Sequence, residues 1–214
     1  MTEHMSLGQI QRMFFNIYGE RNAKIYSLAD LLLHVFEETA VIAESFRKED
    51  HTDIPKAVAQ FFGWLIAFCN GQEINLPKAI FDKYHGACPY CGKSKNCICI
   101  SSETKPKKWY RNSRPEMPQF LPEWQLMFHN IYGRVNRIAG REKCWLHVNE
   151  ELGEISRAFR LGQKKPLRDE IADVFAWLVA FCNHMKIDIE EAVLNEYPTK
   201  CNVCDRDKCC CPKV

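Results

Sequence analysis

The sequence of 214 residues contains no apolar run approaching the ~20 residues that a membrane-spanning helix needs. It also has no strong charge of either sign, because its net charge is only +2 at pH 7. This balance argues against a polybasic membrane binder, and it makes nucleic acid an improbable partner. Residues 1–15 show no basic segment followed by an apolar one, so we expect no signal peptide and a cytoplasmic location.

No segment alternates polar and apolar residues for long enough to indicate a β-sheet, so we expect an all-α fold. The chain is 46% hydrophobic and 26% charged, which is typical of globular proteins and excludes a disordered or fibrous chain. It has 12 cysteines, and in a reducing compartment these indicate metal ligands before disulfides.

The chain repeats itself at an offset of 113 or 114 residues. The matched pairs of segments are 14–22 with 128–136, 32–47 with 145–160, 57–70 with 170–183, and the cysteine clusters 88–99 with 201–211. Four matched blocks in the same order predict a tandem duplication. We therefore expect a first repeat at 1–100, a proline-rich basic linker at 101–122 and a second repeat at 123–214.

Each repeat has the pattern of four helices followed by a cysteine knuckle. An apolar stripe predicts the second helix of the second repeat, and its members are Trp145, Val148, Leu152, Ile155 and Phe159. We expect the next helix to start after Pro166, and helix N-caps at Ser27, Asp53 and Asp188. A four-helix unit buries a modest core, which favours packing of the two repeats as an intramolecular pseudo-dimer. Further association of such pseudo-dimers into a homo-oligomer is also possible.

Five carboxylates border apolar helix faces in the second repeat. They are Glu150, Glu151, Glu154, Glu170 and Asp173. The spacing i, i+3 places Glu151 with Glu154, and Glu170 with Asp173, on single helical faces. If the two helices pack antiparallel, these like charges converge and need a cation. Oxygen ligands of this kind suit Mg²⁺ or Mn²⁺.

The first repeat has lost three of these five acids. Val41 stands opposite Glu154, Ala57 opposite Glu170 and Gln60 opposite Asp173, while the neighbouring apolar positions persist. A random acidic pair on a helix is usually a solvated face, but this contrast separates site residues from fold residues. We expect the first repeat to supply only a scaffold.

The pattern Glu150-Glu151-x-x-Glu154, followed by Glu170-x-x-Asp173, resembles the EExxE…ExxD signature of the MazG-like, all-α nucleoside triphosphate pyrophosphatases. The resemblance covers 145–197 with full motifs and 32–84 with a degraded copy. It implies hydrolysis of a nucleoside triphosphate, conceivably a dNTP or a non-standard NTP, to a monophosphate and pyrophosphate. It implies that Mg²⁺ is held by the four acids at 151, 154, 170 and 173, with Glu150 binding a further metal or orienting the attacking water.

Six further positions are candidates for contact with the nucleotide. Asn183 could contact the nucleotide and Trp177 could stack on its base, although Trp64 at the matched place of the first repeat favours a core role for Trp177. Lys164, Lys165 and Arg168 could reach phosphates or be ordinary surface residues. Family members often carry a basic residue in the last helix, so the resemblance also points to Lys83. His34 and His147 match between the repeats, and we interpret both as structural.

Each repeat ends in a set of cysteines with the spacing of a closed Cys₄ zinc site. The predicted ligands are Cys88, Cys91, Cys97 and Cys99 in the first repeat, and Cys201, Cys204, Cys209 and Cys211 in the second. Cys210 is an alternative ligand in the second set. Free thiols, disulfides or an iron–sulfur cluster are the other interpretations. Because these sites are closed, we expect structural zinc at both.

Other functions remain open from the sequence. The knuckles and the basic segment 105–114, with Trp109 and Tyr110, could belong to a nucleic-acid-binding adaptor. A di-iron carboxylate bundle normally needs Glu-x-x-His pairs, and the site helices have none. A nucleotide sensor without turnover is the remaining alternative.

Overall fold

The fold was analysed in a computed structural model, which describes residues 4–99 and 115–213. In these two ranges the chain forms eight α-helices and no β-strand, which confirms the expected all-α fold. The helices are α1 (Leu7–Ile25), α2 (Leu28–Lys48), α3 (Ile54–Gly71), α4 (Leu76–Tyr84), α5 (Leu121–Ala139), α6 (Arg141–Arg160), α7 (Lys164–Met185) and α8 (Ile189–Glu196).

Side-chain hydrogen bonds cap two of the three helices for which the sequence predicts an N-cap residue. Ser27 and Asp30 form a reciprocal capping box at α2, and the Asp188 side chain accepts a bond from Glu191 N at α8. Asp53 precedes α3, but its side chain makes no capping bond. The predicted start of α7 after Pro166 is wrong, since the helix begins at Lys164. A proline fits in the first turn because the N–H groups there have no partner within the helix.

The chain divides into two compact units that do not follow the sequence repeats. We call Met1–Leu76 with Asp188–Val214 unit 1, and Pro77–Ile187 unit 2. Unit 1 contains α1, α2, α3 and α8, and unit 2 contains nearly all of α4 together with α5, α6 and α7. Each unit therefore takes three long helices from one repeat, and its short helix and cysteine knuckle from the other.

The core of unit 2 joins elements from both repeats through aromatic rings and backbone bonds. Trp124 and Phe128 are buried, and each ring meets the ring of Phe175 at 6.1 Å between centroids. The ring of Tyr84, on α4, packs edge-on against Phe128 at 4.9 Å. In the knuckle, Cys97 N donates to the carbonyl oxygen of Ile131 at 2.7 Å. These contacts fix α4 and the first knuckle against α5.

Unit 1 repeats these contacts at the matched positions. Tyr197, which follows α8, packs against Phe14 at 4.8 Å between ring centroids. Cys209 N donates to the carbonyl oxygen of Ile17 at 2.8 Å. Each unit thus contains the short helix and the cysteine knuckle of the other repeat, and residues at matched positions make the contacts that hold them.

The repeat boundaries at 100 and 123 stay a prediction, as does the pseudo-dimer. The helix α5 begins at Leu121, so the last two residues of the predicted linker belong to it, while 101–114 lie outside the described residues. Within the described ranges, none of the helices combines the length and apolar composition that crossing a membrane requires.

A side-chain amide pair links the first and third long helices of each unit. In unit 2, Gln125 Nε2 donates to Asn183 Oδ1 and Asn183 Nδ2 donates to the Gln125 carbonyl oxygen, both at 3.1 Å. In unit 1, Gln11 and Asn70 make the same two bonds at 3.0 and 3.2 Å. Because both units keep this pair, its role is to hold the helices together.

We expect Asn183→Ala to lower the free energy of unfolding by about 1–3 kcal/mol, because it removes two buried hydrogen bonds and leaves their partners unpaired. Urea denaturation measures the change. Asn70→Ala is the matched variant in unit 1 and should cost a similar amount. A variant of unchanged stability that binds nucleotide more weakly would contradict the packing role of Asn183.

Candidate active site

Three carboxylates from two helices of unit 2 come together. Glu151 and Glu154 lie on α6, Glu170 lies on α7, and one oxygen from each is within 4.8 Å of the others. The positions 151 and 154 share a helical face, and they flank the fully buried Leu152 of the apolar stripe. Packing of that stripe against α7 therefore brings the acids of the two helices together, as the spacing predicts.

The three carboxylates of this group carry the same negative charge when ionised, so they cannot neutralise one another. Burial raises the pKa of Glu151 to about 8, helped by the charges of Asp173, Glu170 and Glu154 and opposed by Lys83. Burial also raises the pKa of Glu170. A cation among these oxygens would reverse both effects.

Asp173 does not join the three clustered acids. One of its oxygens accepts from Lys83 Nζ and forms an ion pair with it, and the other accepts from the Tyr84 hydroxyl at 2.5 Å. Burial disfavours the charge on Lys83, but the attraction of Asp173 outweighs it and the pKa of Lys83 is raised. Three of the four predicted metal-binding acids thus lie together, and the fourth, Asp173, pairs with Lys83. Metal binding by all four acids stays a prediction.

The three remaining acids fit a hard divalent cation. They present only carboxylate oxygens, which Mg²⁺ and Mn²⁺ prefer, and α6 and α7 hold them close together. Magnesium usually binds one or two protein carboxylates and keeps several waters, so three acids leave positions for substrate oxygens. Glu151, Glu154 and Glu170 are therefore the residues that would hold it.

Glu150 occupies a different place from the three clustered acids. Its side chain is exposed, and its carboxylate is 2.8 Å from Nδ1 of His147. The His147 ring stacks on Trp177 at 4.1 Å between centroids. The histidine thus orients Glu150 and is itself held by the tryptophan. His34 stacks on Trp64 in the same way in unit 1, so the aromatic pair is a shared feature of both units.

A cavity of about 490 Å³ lies beside the carboxylates in unit 2. Glu150, Glu151 and Asp173 line its acidic side. Its other walls include Tyr84, Tyr90, Tyr132, Asn136 and Trp177. This volume is in the range of small-molecule sites, which span about 300–1,000 Å³. Tyr90 belongs to the first cysteine knuckle, so the knuckle forms part of the cavity wall.

The other predicted contact residues are not brought to this cavity. Asn183 pairs with Gln125, as described above. Lys165 is largely exposed and pairs with Asp169 at 2.6 Å, and Arg168 pairs with Asp82 at 2.8 Å. Lys164 is exposed at the start of α7. Contact of these side chains with phosphates stays a prediction, whereas Lys83 and Trp177 do line the cavity.

Sequence reasoning missed Tyr132, Asn136 and Tyr90. The first two match Tyr18 and Asn22 of the first repeat within the NIYG segments, and that identity could have indicated them. Tyr90 has Val203 as its counterpart, so nothing in the pattern distinguished it. Its position became apparent only from the packing of the knuckle against α5.

Both predicted cysteine sets are assembled. The four sulfur ligand atoms of each lie within 4.8 Å of one another, with Cys91–Cys97 at 3.6 Å and Cys201–Cys209 at 3.4 Å. Four sulfurs around zinc at bonds of ~2.3 Å stand about 3.8 Å apart, so these sets fit the ion. Cys210 is exposed and outside the second set. A hydrogen bond from the backbone of Cys210 is the main cause that lowers the pKa of Cys204 to about 6.

Residues 140–202 match a family model described as the MazG nucleotide pyrophosphohydrolase domain. The matched segment contains α6, α7 and α8 and all three clustered carboxylates. It covers under a third of the chain. No curated protein and no solved structure matches the chain. The pyrophosphohydrolase resemblance of the second repeat is thus supported, and the tandem duplication stays a prediction.

We expect the purified full chain to carry two zinc ions, because each knuckle offers four converging thiolates. Elemental mass spectrometry gives the ratio of zinc to protein. Cys211→Ser should lower the ratio from two to one, whereas Cys210→Ser is the matched control and should leave it at two. The reverse pattern would show that Cys210 is the ligand.

Magnesium affinity should rise with pH, by about tenfold per unit below pH 8. The raised pKa of Glu151 means that this carboxyl is mostly protonated at pH 7, and it must lose its proton to bind a cation. Calorimetric titration with Mg²⁺, in two buffers of different ionisation enthalpy, measures the proton released. Glu151→Gln should abolish the release, and an affinity independent of pH would contradict the assignment.

Proposed function

We propose that unit 2 hydrolyses a nucleoside triphosphate to a monophosphate and pyrophosphate with the help of a divalent cation. The observation that carries the proposal is the convergence of Glu151, Glu154 and Glu170, the first of which also lines a cavity of small-molecule size. These acids lie inside the segment that matches a nucleotide pyrophosphohydrolase domain. Hydrolysis at the α-phosphorus breaks the bond to the bridging oxygen and releases both products.

The acidic side of the cavity would receive the triphosphate. The chemistry that magnesium supplies there is neutralisation of phosphate charge and activation of a water for attack. Lys83, which pairs with Asp173, adds a second positive charge. Its ammonium group could move from Asp173 to a phosphate oxygen without any change of fold. Glu150, which lines the cavity and contacts His147, would accept the proton of the attacking water.

The remaining walls suit the nucleoside part of the substrate. Trp177, Tyr132 and Tyr90 present aromatic rings, and rings of this kind stack on a base. Asn136 lines the same cavity and offers a side-chain amide, which can donate to and accept from a base edge. The triphosphate and the base would thus occupy opposite ends of one cavity. Which base and sugar fit best is for experiment.

The test is a screen of NTPs and dNTPs with Mg²⁺ and pyrophosphate release as the readout. For the preferred substrate, Glu151→Gln should lower kcat by at least about 100-fold, since losing even an outer-shell partner of a metal costs about 10- to 100-fold. The matched control is Glu38→Gln, which changes the corresponding acid of the first repeat and should retain activity. Equal losses in the two variants would contradict the site.

This screen also separates hydrolysis from sensing. A sensor would bind a triphosphate in calorimetry without releasing pyrophosphate, and the wild-type chain would then show no turnover with any substrate. The basic segment 105–114, on which the nucleic-acid-binding alternative rests, lies outside the described residues.

A further inference from the structure

Unit 1 contains a cavity of about 280 Å³ at the place that corresponds to the cavity of unit 2. The two cavities use the same positions of the two repeats for their walls. The matched pairs are Tyr18 with Tyr132, Asn22 with Asn136, Trp64 with Trp177, Tyr197 with Tyr84, and Cys201 with Cys88. Unit 1 therefore lacks three of the five acids but has the same residues at these five positions of the cavity wall.

The aromatic end of the cavity is the same in geometry as well as in residue type. His34 stacks on Trp64 at 4.1 Å and 14°, and His147 stacks on Trp177 at 4.1 Å and 15°. Tyr18 and Tyr197, which also line the cavity, meet edge-on at 6.1 Å between ring centroids, as Tyr84 and Tyr132 do at 6.3 Å in unit 2. A flat ring entering this space would meet aromatic surfaces like those proposed for the base in unit 2.

The phosphate end has been replaced by groups that cannot serve a triphosphate. Val41, Ala57 and Gln60 stand where unit 2 has two of its clustered acids and Asp173. Gln60 Nε2 donates to Glu196 at 3.1 Å, so a carboxylate takes the place that Lys83 holds in unit 2. In the described part of unit 1, no three carboxylates converge as a metal group. A triphosphate would meet the Glu196 carboxylate here, and Arg21, which lines the cavity, already donates to the carbonyl oxygens of Cys211 and Pro212.

A buried amide gives the cavity a polar group of its own. Asn22 is only 8% exposed and lines the cavity. Arg21 Nη1 donates to its Oδ1 at 3.2 Å, and the Nδ2 group of the same amide is a hydrogen-bond donor. A ligand atom in the cavity that accepts a hydrogen bond from this amide would gain affinity.

We propose that unit 1 binds an uncharged nucleoside, with its base between the aromatic walls and a base or sugar oxygen or nitrogen accepting from Asn22. The volume lies near the lower end of small-molecule sites, about 300 Å³, and suits a nucleoside better than a triphosphate. The nucleoside class rests on the proposed function of unit 2, because it is inferred from the matched walls.

The experiment is calorimetric titration of the full chain with adenosine, guanosine, cytidine, uridine and thymidine. Mg²⁺ and a non-hydrolysable triphosphate analogue with an α,β-methylene bridge are present to fill unit 2. We expect one nucleoside to bind per chain. Asn22→Asp keeps the acceptor for Arg21 and removes the donor, so it should weaken binding about tenfold. Trp64→Leu should weaken it by at least as much.

The matched variants in unit 2 are Asn136→Asp and Trp177→Leu, which should leave this nucleoside titration unchanged. Thermal melts followed by circular dichroism identify any variant that does not fold. The proposal is overturned if none of the five nucleosides binds at millimolar concentration, or if binding responds to the unit 2 variants and not to those of unit 1. If the analogue itself does not bind, the proposed function fails, and the four variants alone still assign the nucleoside to one unit.

Discussion

The repulsion among carboxylates held close together between α6 and α7 is the constraint on which the site depends. Burial and mutual repulsion raise the pKa of Glu151 and Glu170, so these acids cannot all be ionised without a positive partner. Asp173 has such a partner in Lys83, and the other three acids have none within their group. Burial of the apolar stripe thus brings together negative charges that a divalent cation can neutralise.

The exchange of short helices between the repeats decides which charged side chain meets each long helix α3 and α7. Lys83 comes from the first repeat and meets Asp173 of the second, whereas Glu196 comes from the second and meets Gln60 of the first. The pair in unit 2 joins a lysine to an aspartate, whereas the matched pair in unit 1 joins a glutamate to a glutamine. The cavity of unit 2 has both acidic and aromatic walls, whereas the cavity of unit 1 has the aromatic walls without the acids.

The sequence predicted what is local and repetitive. Spacing on a helical face indicated Glu151, Glu154 and Glu170, and cysteine spacing indicated both knuckles, because these patterns are set within one or two turns of chain. It did not predict the pairing of Asp173 with Tyr84, or the knuckle residue Tyr90 in the cavity wall. Those contacts join segments far apart in the chain, and they depend on which unit a short helix packs in. The hydrogen bonds between Asn183 and Gln125 also join distant segments, and a pattern does not show them.

The central claim is that Glu151, Glu154 and Glu170 together hold a divalent cation. The most direct measurement is anomalous scattering from crystals grown with Mn²⁺ and a non-hydrolysable nucleoside triphosphate. The account predicts a manganese peak among these three carboxylates, with phosphate oxygens completing its coordination and the base in the cavity beside Trp177. Crystals with nucleotide bound but no peak at these acids, or with the three carboxylates turned apart into solvent, would contradict it.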